Sequence, residues 1–390
     1  MANNLENLEN LDKLDKLENL DSLENLENLD NLDSLDSLDN LENLENLSPL
    51  TPADRRPPQS QWRRWHLPVL ILFVVAAWLI VTRHRAPVPF QHDEGAVFGT
   101  FYHITYQSAD NLQADIEAQL SKVDASLSMF NPSSTLSRIN RGDSVQTDSL
   151  FRDVFTLSQR VSQVTGGAFD ITVAPLVNAW GFGFKHDALP DSAAVDSLRS
   201  LVGWQRIGLT PEGYVHRDDL RIVLDCGAVA KGFGVDVVAR YLRACGILNY
   251  MVEIGGEVVV SGTNPKGEPW RVGISSPVED PESTSNQLDT VLTLTDCAMA
   301  TSGNYRNFYV TPDGRKLAHT IDPHTGYPVR HSIRSATVLA PTCAEADAFA
   351  TACMVLGVDS ARTLLACQSQ LQLYLIYDSL GHRRVFSTLR

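Results

Sequence analysis

The sequence predicts an α+β domain preceded by a membrane anchor and a low-complexity tail. Three observations carry this. Helix and strand patterns are interspersed along residues 95–390 without the regular beat of βαβ units, which separates the domain from doubly wound folds. An uncharged apolar run stands apart from that domain, flanked by arginines. The first 50 residues hold 14 of the 47 acids and only two lysines, so they carry −12 of the net charge of −15. The remainder is close to neutral and offers no electrostatic footprint for nucleic acid.

Residues 5–47 repeat as triplets of Leu, then Asp or Glu, then usually Asn, Ser or Lys. In an α-helix a period of three drifts by about 60° per triplet, so the leucines spiral and leave no lasting stripe. A 3₁₀ helix would align them, but long 3₁₀ runs are uncommon. Residues 1–50 therefore read as a disordered acidic tail, with a partner-binding or self-associating arm as the alternative.

Residues 51–66 form a basic linker with Arg55, Arg56, Arg63 and Arg64. Residues 67–82 read as one transmembrane signal anchor. The run is short against the ~20 residues usual for a span, but flanking arginines extend it by snorkelling. Trp62, Trp65 and Trp78 lie at or near its ends, as interfacial aromatics do. The rival is a cleaved signal peptide, yet no A-x-A-like site follows, and no cysteine follows closely. Four arginines precede the run against Arg83 and Arg85 after it. That bias places the tail in the cytoplasm and the domain on the periplasmic face of the inner membrane. Residues 83–94 read as a polar linker.

Within residues 95–390, strands are expected at 97–106, 220–224, 250–261, 270–275, 291–294, 333–339, 371–377 and 384–387, the last two joined by a D-S-L-G turn. Helices are expected at 111–128, at 150–165 before Gly166-Gly167, and at 231–244 before Gly246. A further Ala-rich helix starts after Thr342, where T-x-x-E makes a capping box with Glu345, and ends at Gly357. None of the six cysteines forms a C-x-x-C, and most have apolar neighbours, so buried thiols are expected.

Four glycine-punctuated stretches could carry chemistry. T-G-G-A-F-D-I-T-V-A-P-L-V-N-A-W-G-F-G, at 165–183, permits close approach of a flat ligand or simply turns into a core strand. L-D-C-G-A-V-A-K-G-F-G-V-D, at 224–236, reads as strand, turn and helix with Lys231 at the helix start. It can cradle an anion, or Asp225 and Lys231 can pair at the surface. V-E-I-G-G-E-V-V-V-S-G, at 252–262, lacks the helix of a dinucleotide fingerprint, so its glycines mark a bulge or tight packing. The stretch from His319 to Gly357 combines H-T-I-D-P-H-T-G with the capped helix. Asp347 and Thr351 lie four apart on one helical face. They can hold a hard cation beside a phosphate, or Asp347 can merely complement the helix dipole while Thr351 packs. A histidine beside such a site is a candidate general base.

Taken in order, these segments resemble the ApbE family of FAD:protein FMN transferases. The similarity also rests on G-T-F-Y at Gly99, S-M-F-N-P-S-S-T-L-S-R-I-N at Ser128, T-S-G-N-Y-R-N at Thr301 and E-A-D-A-F-A-T-A-C-M-V-L-G at Glu345. It covers residues 95–390 and implies an ApbE-like, T-fold-related arrangement of mixed sheets and helices. It implies FAD as substrate and Mg²⁺ as cofactor, with FMN passing to a Thr or Ser hydroxyl of a target flavoprotein and AMP released. By the resemblance, Phe98, Phe130, Ala168, Phe169, Asp170, Asp225, Lys231 and Ile321 line the FAD site. The Ala228 carbonyl, Asp347 and Thr351 hold the metal, and His319 is the base. The implied partners are flavoprotein subunits of Rnf or sodium-translocating NADH:quinone reductase type. Phe98 stands where the family's M-G-T has Met, and the acidic tail has no family counterpart. An FAD pyrophosphatase and a non-catalytic flavin-binding protein are the alternatives.

Overall fold

The computed structural model describes residues 62–83, 88–183, 189–277, 287–304, 308–310 and 316–389. The acidic tail lies outside them. The chain divides into two units, 1–82 and 83–390.

The described part of the first unit is α1 (Trp62–Arg83), with Pro68 inside it. Its described side chains, 68–78, are all exposed. Among the described residues no helix is long and apolar enough to cross a membrane.

The second unit begins with β1 (Phe90–Val97), β2 (Thr100–Gln107), α2 (Gln113–Leu127), α3 (Thr135–Arg141) and α4 (Ser149–Val164). It continues through α5 (Ala174–Ala179), α6 (Ser192–Arg199), β3 (Ile207–Leu209), β4 (Val215–Arg217) and α7 (Gly227–Ala244). Next come β5 (Tyr250–Ile254), β6 (Glu257–Ser261), β7 (Trp270–Ser275), β8 (Leu288–Leu294), β9 (Cys297–Gly303), β10 (Phe308–Val310) and β11 (Lys316–Ala318). It closes with β12 (Ile333–Ala340), α8 (Cys343–Leu356), α9 (Val358–Ala366), β13 (Gln372–Ser379) and β14 (His382–Ser387).

Among the described residues the main sheet has eight strands in the order β1-β2-β5-β6-β9-β12-β13-β14. Every neighbouring pair is antiparallel. Helices and an antiparallel sheet in one unit make the α+β class that the sequence predicts. Apolar residues of α2 and α7 join those of β2 and β5 in one core cluster, while α4, α7 and α8 join β12 and β13 in a larger one. The β7–β8 ribbon packs Trp270, Val272 and Ile274 against Val258, Val260, Met299 and Leu339.

Four local expectations are corrected. The strand expected at 97–106 forms as β2 but starts at Thr100, after a tight turn at Phe98 (φ 50°) and Gly99 (φ 75°), both at positive φ, that joins it to β1. β1 itself is not among the expected strands and starts inside the supposed linker, because an edge strand written Q-H-D-E looks like linker in composition. The strand at 250–261 is a hairpin turned at Gly255-Gly256, both at positive φ. No strand forms at 220–224. Residues 220 and 221 turn instead, with Ile222 N donating to Asp219 O at 3.0 Å, and Asn140 brackets Leu224, accepting from its N–H and donating to its C=O, both at 2.8 Å. Finally, α7 starts at Gly227, so Lys231 sits beyond its first turn.

All six cysteines are free; Cys226, Cys343 and Cys353 are buried, and Cys245 and Cys367 are exposed.

Candidate active site

The site is organised where α7 meets the start of α8. Thr342 caps α8, its Oγ1 accepting from Glu345 N at 3.3 Å. The Glu345 carboxylate does not close the reciprocal half of a capping box and pairs with Arg160 of α4 at 3.0 Å. The two preceding amides are taken by a residue distant in sequence. Asp236 Oδ1 accepts from Cys343 N at 2.8 Å and Oδ2 from Ala344 N at 2.9 Å. Burial pushes the Asp236 carboxyl up to about 6, against the pull of those two N–H groups and Arg240.

Small residues let the helices approach. Ala346, Ala348, Ala350 and Ala352 are all fully buried, so beside Phe349 and Met354 much of the buried surface of α8 is small. A Cβ on Gly232 would stand 2.4 Å from the Cys343 carbonyl oxygen. A Cβ on Gly234 would strike the Phe98 ring at 2.6 Å. The G-F-G of the 224–236 motif is thus a packing device: one glycine admits α8, the other admits Phe98.

This approach places Asp347 against α7. Its Oδ2 accepts from Gly232 N at 3.1 Å and lies 3.8 Å from Lys231 Nζ. Lys231 itself donates to Glu257 Oε1 at 2.8 Å. Burial raises the Asp347 and Glu257 carboxyls, with Lys231 opposing in both cases. Burial works against the Lys231 charge, but Asp347 and Glu257 outweigh it and hold the ammonium above the ordinary lysine range.

Among the described residues no group of three or more His, Cys, Asp or Glu is arranged to hold a metal. The expected donor set is of another kind: one carboxylate, one hydroxyl and one carbonyl. Three observations fit it to a hard cation. Two buried carboxylates face a single ammonium, so ionising both, which burial resists, would leave one negative charge that a divalent ion could relieve. The Gly232 N–H donates to Asp347, which sets that carboxylate beside the turn of α7 that carries Ala228, and a helix carbonyl keeps a second lone pair for a cation. Thr351 is half-buried one turn after Asp347, its Oγ1 3.2 Å from Ser302 Oγ on β9.

Ser302 leads toward His319, the histidine expected to act as base. Two residues on, Asn304 Oδ1 accepts from Thr320 Oγ1 at 2.7 Å, which ties β9 to the residue after His319. His319 is half-buried, its ring edge-on to Phe182 at 6.4 Å. Leu317 and Ile321 on either side are buried with Leu176, Trp180 and Val195. The neighbouring I-D-P-H-T-G is a self-bonded turn. Asp322 accepts from His324 N, and Thr325 Oγ1 donates to Asp322 Oδ2 at 3.0 Å. His324 Nε2 lies 2.9 Å from the Gly166 carbonyl, so the second histidine holds this turn to the T-G-G corner.

The remaining predicted residues divide by what they can offer. Asp225 N donates to Ile171 O at 2.7 Å, which brings the 168–170 segment beside the start of α7. Its Oδ1 accepts from Gly227 N, and burial raises its carboxyl against that bond. Ala168 and Phe169 are each 2 % exposed. Asp170 is spent on Thr172 and on Trp204 N, its carboxyl raised by burial. All three are buried, and none offers a free polar side chain to a ligand. Phe130 is the opposite case, 80 % exposed on a loop whose turn is held by Ser128 Oγ. Sequence reasoning left out Glu257, Asp236, Gly232 and Ser302, although each lies inside a quoted motif. The signal that could have found them is the spacing of G-F-G within a helix and an acid directly after G-G.

The ApbE family model matches residues 98–375. The chain is 37% identical over 298 residues to an FAD:protein FMN transferase of Vibrio cholerae, covering 73% of this chain and 87% of that protein. It is 35% identical over 285 residues to one of Escherichia coli, covering 70% and 80% respectively. Among solved structures, the flavin transferase ApbE from Vibrio cholerae superposes with a TM-score of 0.70 at 34% identity, over 77% of this chain and 97% of that one. The apo flavinyl transferase ApbE of Pseudomonas stutzeri gives 0.68 at 29% identity, over 77% and 95%.

Proposed function

The chain belongs to the ApbE family, and from that premise we propose that it is an Mg²⁺-dependent FAD:protein FMN transferase. The observation that carries the reading is the junction of α7 and α8, where Asp347 is buried against Gly232 N and beside Lys231. Ala228, Asp347 and Thr351 would hold the cation. When bound, Mg²⁺ would neutralise pyrophosphate charge at the reacting phosphorus.

The chain's own residues supply the rest. Lys231 brings a fixed positive charge to the phosphates. Asp225, the backbone of Ala168 to Asp170, Phe98 and Ile321 line the FAD site, and Phe130 offers a ring face. His319 takes the proton from a Thr or Ser hydroxyl of the acceptor, a weak nucleophile that needs a base. The hydroxyl oxygen bonds to the FMN phosphorus, the pyrophosphate P–O bond breaks, and AMP leaves.

Residues 67–82 serve in this reading as a single-pass anchor in the inner membrane, with the catalytic unit periplasmic. The acceptors would be flavoprotein subunits of Rnf or sodium-translocating NADH:quinone reductase type. Mass spectrometry of such a subunit after incubation with the protein, FAD and Mg²⁺ tests the reading. A covalent FMN adduct on one Thr or Ser, with AMP formed in equal amount, is expected. Free FMN with an unmodified acceptor would instead mark a pyrophosphatase.

A further inference from the structure

Glu257 opens β6 directly after the Gly255-Gly256 turn and is 3 % exposed. Both glycines take positive φ, so the corner that aims this side chain is one glycine adopts readily. Oε1 accepts from Lys231 Nζ at 2.8 Å, while Oε2 is buried without a hydrogen-bond partner. A buried carboxylate with one oxygen unmet costs stability, and packing alone gives no reason to keep it.

The reason lies across the ammonium. Asp347 faces the same Nζ at 3.8 Å, outside hydrogen-bond range. Lys231 is therefore held by Glu257 and not by Asp347. A lysine ammonium is a compact charge on a flexible stem. Without Glu257 it would close on Asp347, the other acid it faces, and occupy the carboxylate side that a cation needs.

We propose that Glu257 is a positioning residue that retains Lys231 and so keeps Asp347 open to a divalent cation. The inference rests on the reading of Asp347 as a cation ligand. In this arrangement Lys231 still stands beside the phosphate subsite, but its hydrogen bond is committed away from the metal ligand. The division of labour is spatial: Glu257 takes the monovalent charge and Asp347 is left for the divalent one.

The test titrates Mg²⁺ into the full-length protein, with and without FAD, and reads the thermal midpoint. Wild type should be stabilised by Mg²⁺ and Asp347→Asn should not. Glu257→Gln should raise the half-saturating Mg²⁺ roughly tenfold or more, the scale of a charge-assisted hydrogen bond that the ion must displace. The double variant Glu257→Gln/Lys231→Met should return it close to wild type, since no ammonium remains to close on Asp347. Glu257→Asp keeps the charge with a shorter reach and should fall between, which preserves the test if the Gln variant does not fold in EDTA. An unchanged half-saturation in Glu257→Gln overturns the proposal. So does a loss of Mg²⁺ binding that Lys231→Met fails to relieve, because Glu257 would then be a ligand itself. No Mg²⁺ effect on wild type under either condition overturns the reading of Asp347 and the proposal with it.

Discussion

Asp347 and His319 are carried by one stretch of chain, yet the fold holds them by different means. Asp347 is set by two helices in contact, with Gly232 admitting α8 and Asp236 capping it. Its surroundings are buried, charged and tied to the main core. His319 follows the short strand β11 and leads into a turn. It is fixed by Thr320–Asn304, by the buried flanks Leu317 and Ile321, and by the edge contact to Phe182. One half of the site is thus inseparable from the stability of the domain, while the other sits on a satellite cluster. That difference suits the proposed chemistry, in which Asp347 would gain from rigid buried surroundings as a cation ligand and His319, as the base, would have to stay accessible to a second protein.

The sharpest way to break the comparison is to substitute both halves and read activity and stability together. His319→Ala removes the proposed base from a half-buried loop position. We expect the turnover number to fall by roughly 10²–10⁴-fold, the usual contribution of a positioned general base, with the thermal midpoint near wild type. Steady-state flavinylation of an acceptor, followed beside a thermal melt, checks it. A large drop in the midpoint would place His319 in the structural core and end the distinction.

Gly232→Ala tests the other half. The new Cβ would meet Cys343 backbone at 2.4 Å, and backbone cannot swing aside as a side chain can. We expect destabilisation of about 1–3 kcal/mol, as for overpacked interiors. We also expect weakened Mg²⁺ stabilisation, because the Gly232–Asp347 bond would lengthen as the helices part. Urea unfolding with and without Mg²⁺ measures both. Activity lost with no change in stability would mean that the two halves are not built differently after all.

What was legible in the sequence follows the same divide. The helices at 113–127, 149–164 and 343–356 carry local signals: Asp148 and Thr342 cap the last two, and Gly357 ends the last at φ 79°. Asp347 and Thr351 could be placed on one face from spacing alone. The crossing partners could not, because contacts between α7 and α8 join residues more than a hundred positions apart. The segment at 220–224 has the apolar alternation of a strand, but the Asn140 side chain takes the place of a ladder there. β9, written C-A-M-A-T-S-G, gives no strand signal, since its small residues serve the helix lying over it more than β propensity. Lys231 reads as a helix start because the sequence does not say that the G-A-V-A before it is already helical.

A third experiment reads the helix crossing through pH. Burial holds the Asp236 carboxyl at about 6 in the folded protein, against about 3.9 for an ordinary aspartate. Between those values the folded state keeps a proton that the unfolded chain releases. The stability this group contributes is therefore fully present below about pH 4 and is lost as pH rises through 6. Asp236→Asn has no proton to exchange. The stability of wild type relative to that variant should then decline from pH 4 to pH 7 by on the order of 2 kcal/mol. Urea midpoints across the range measure it. The variant also forfeits one of the two α8 amides, because Asn presents a single acceptor, and that loss is a constant offset, separable from the slope. A difference that stays flat with pH would mean Asp236 is ionised throughout, and the crossing would then owe its order to the two capping bonds alone.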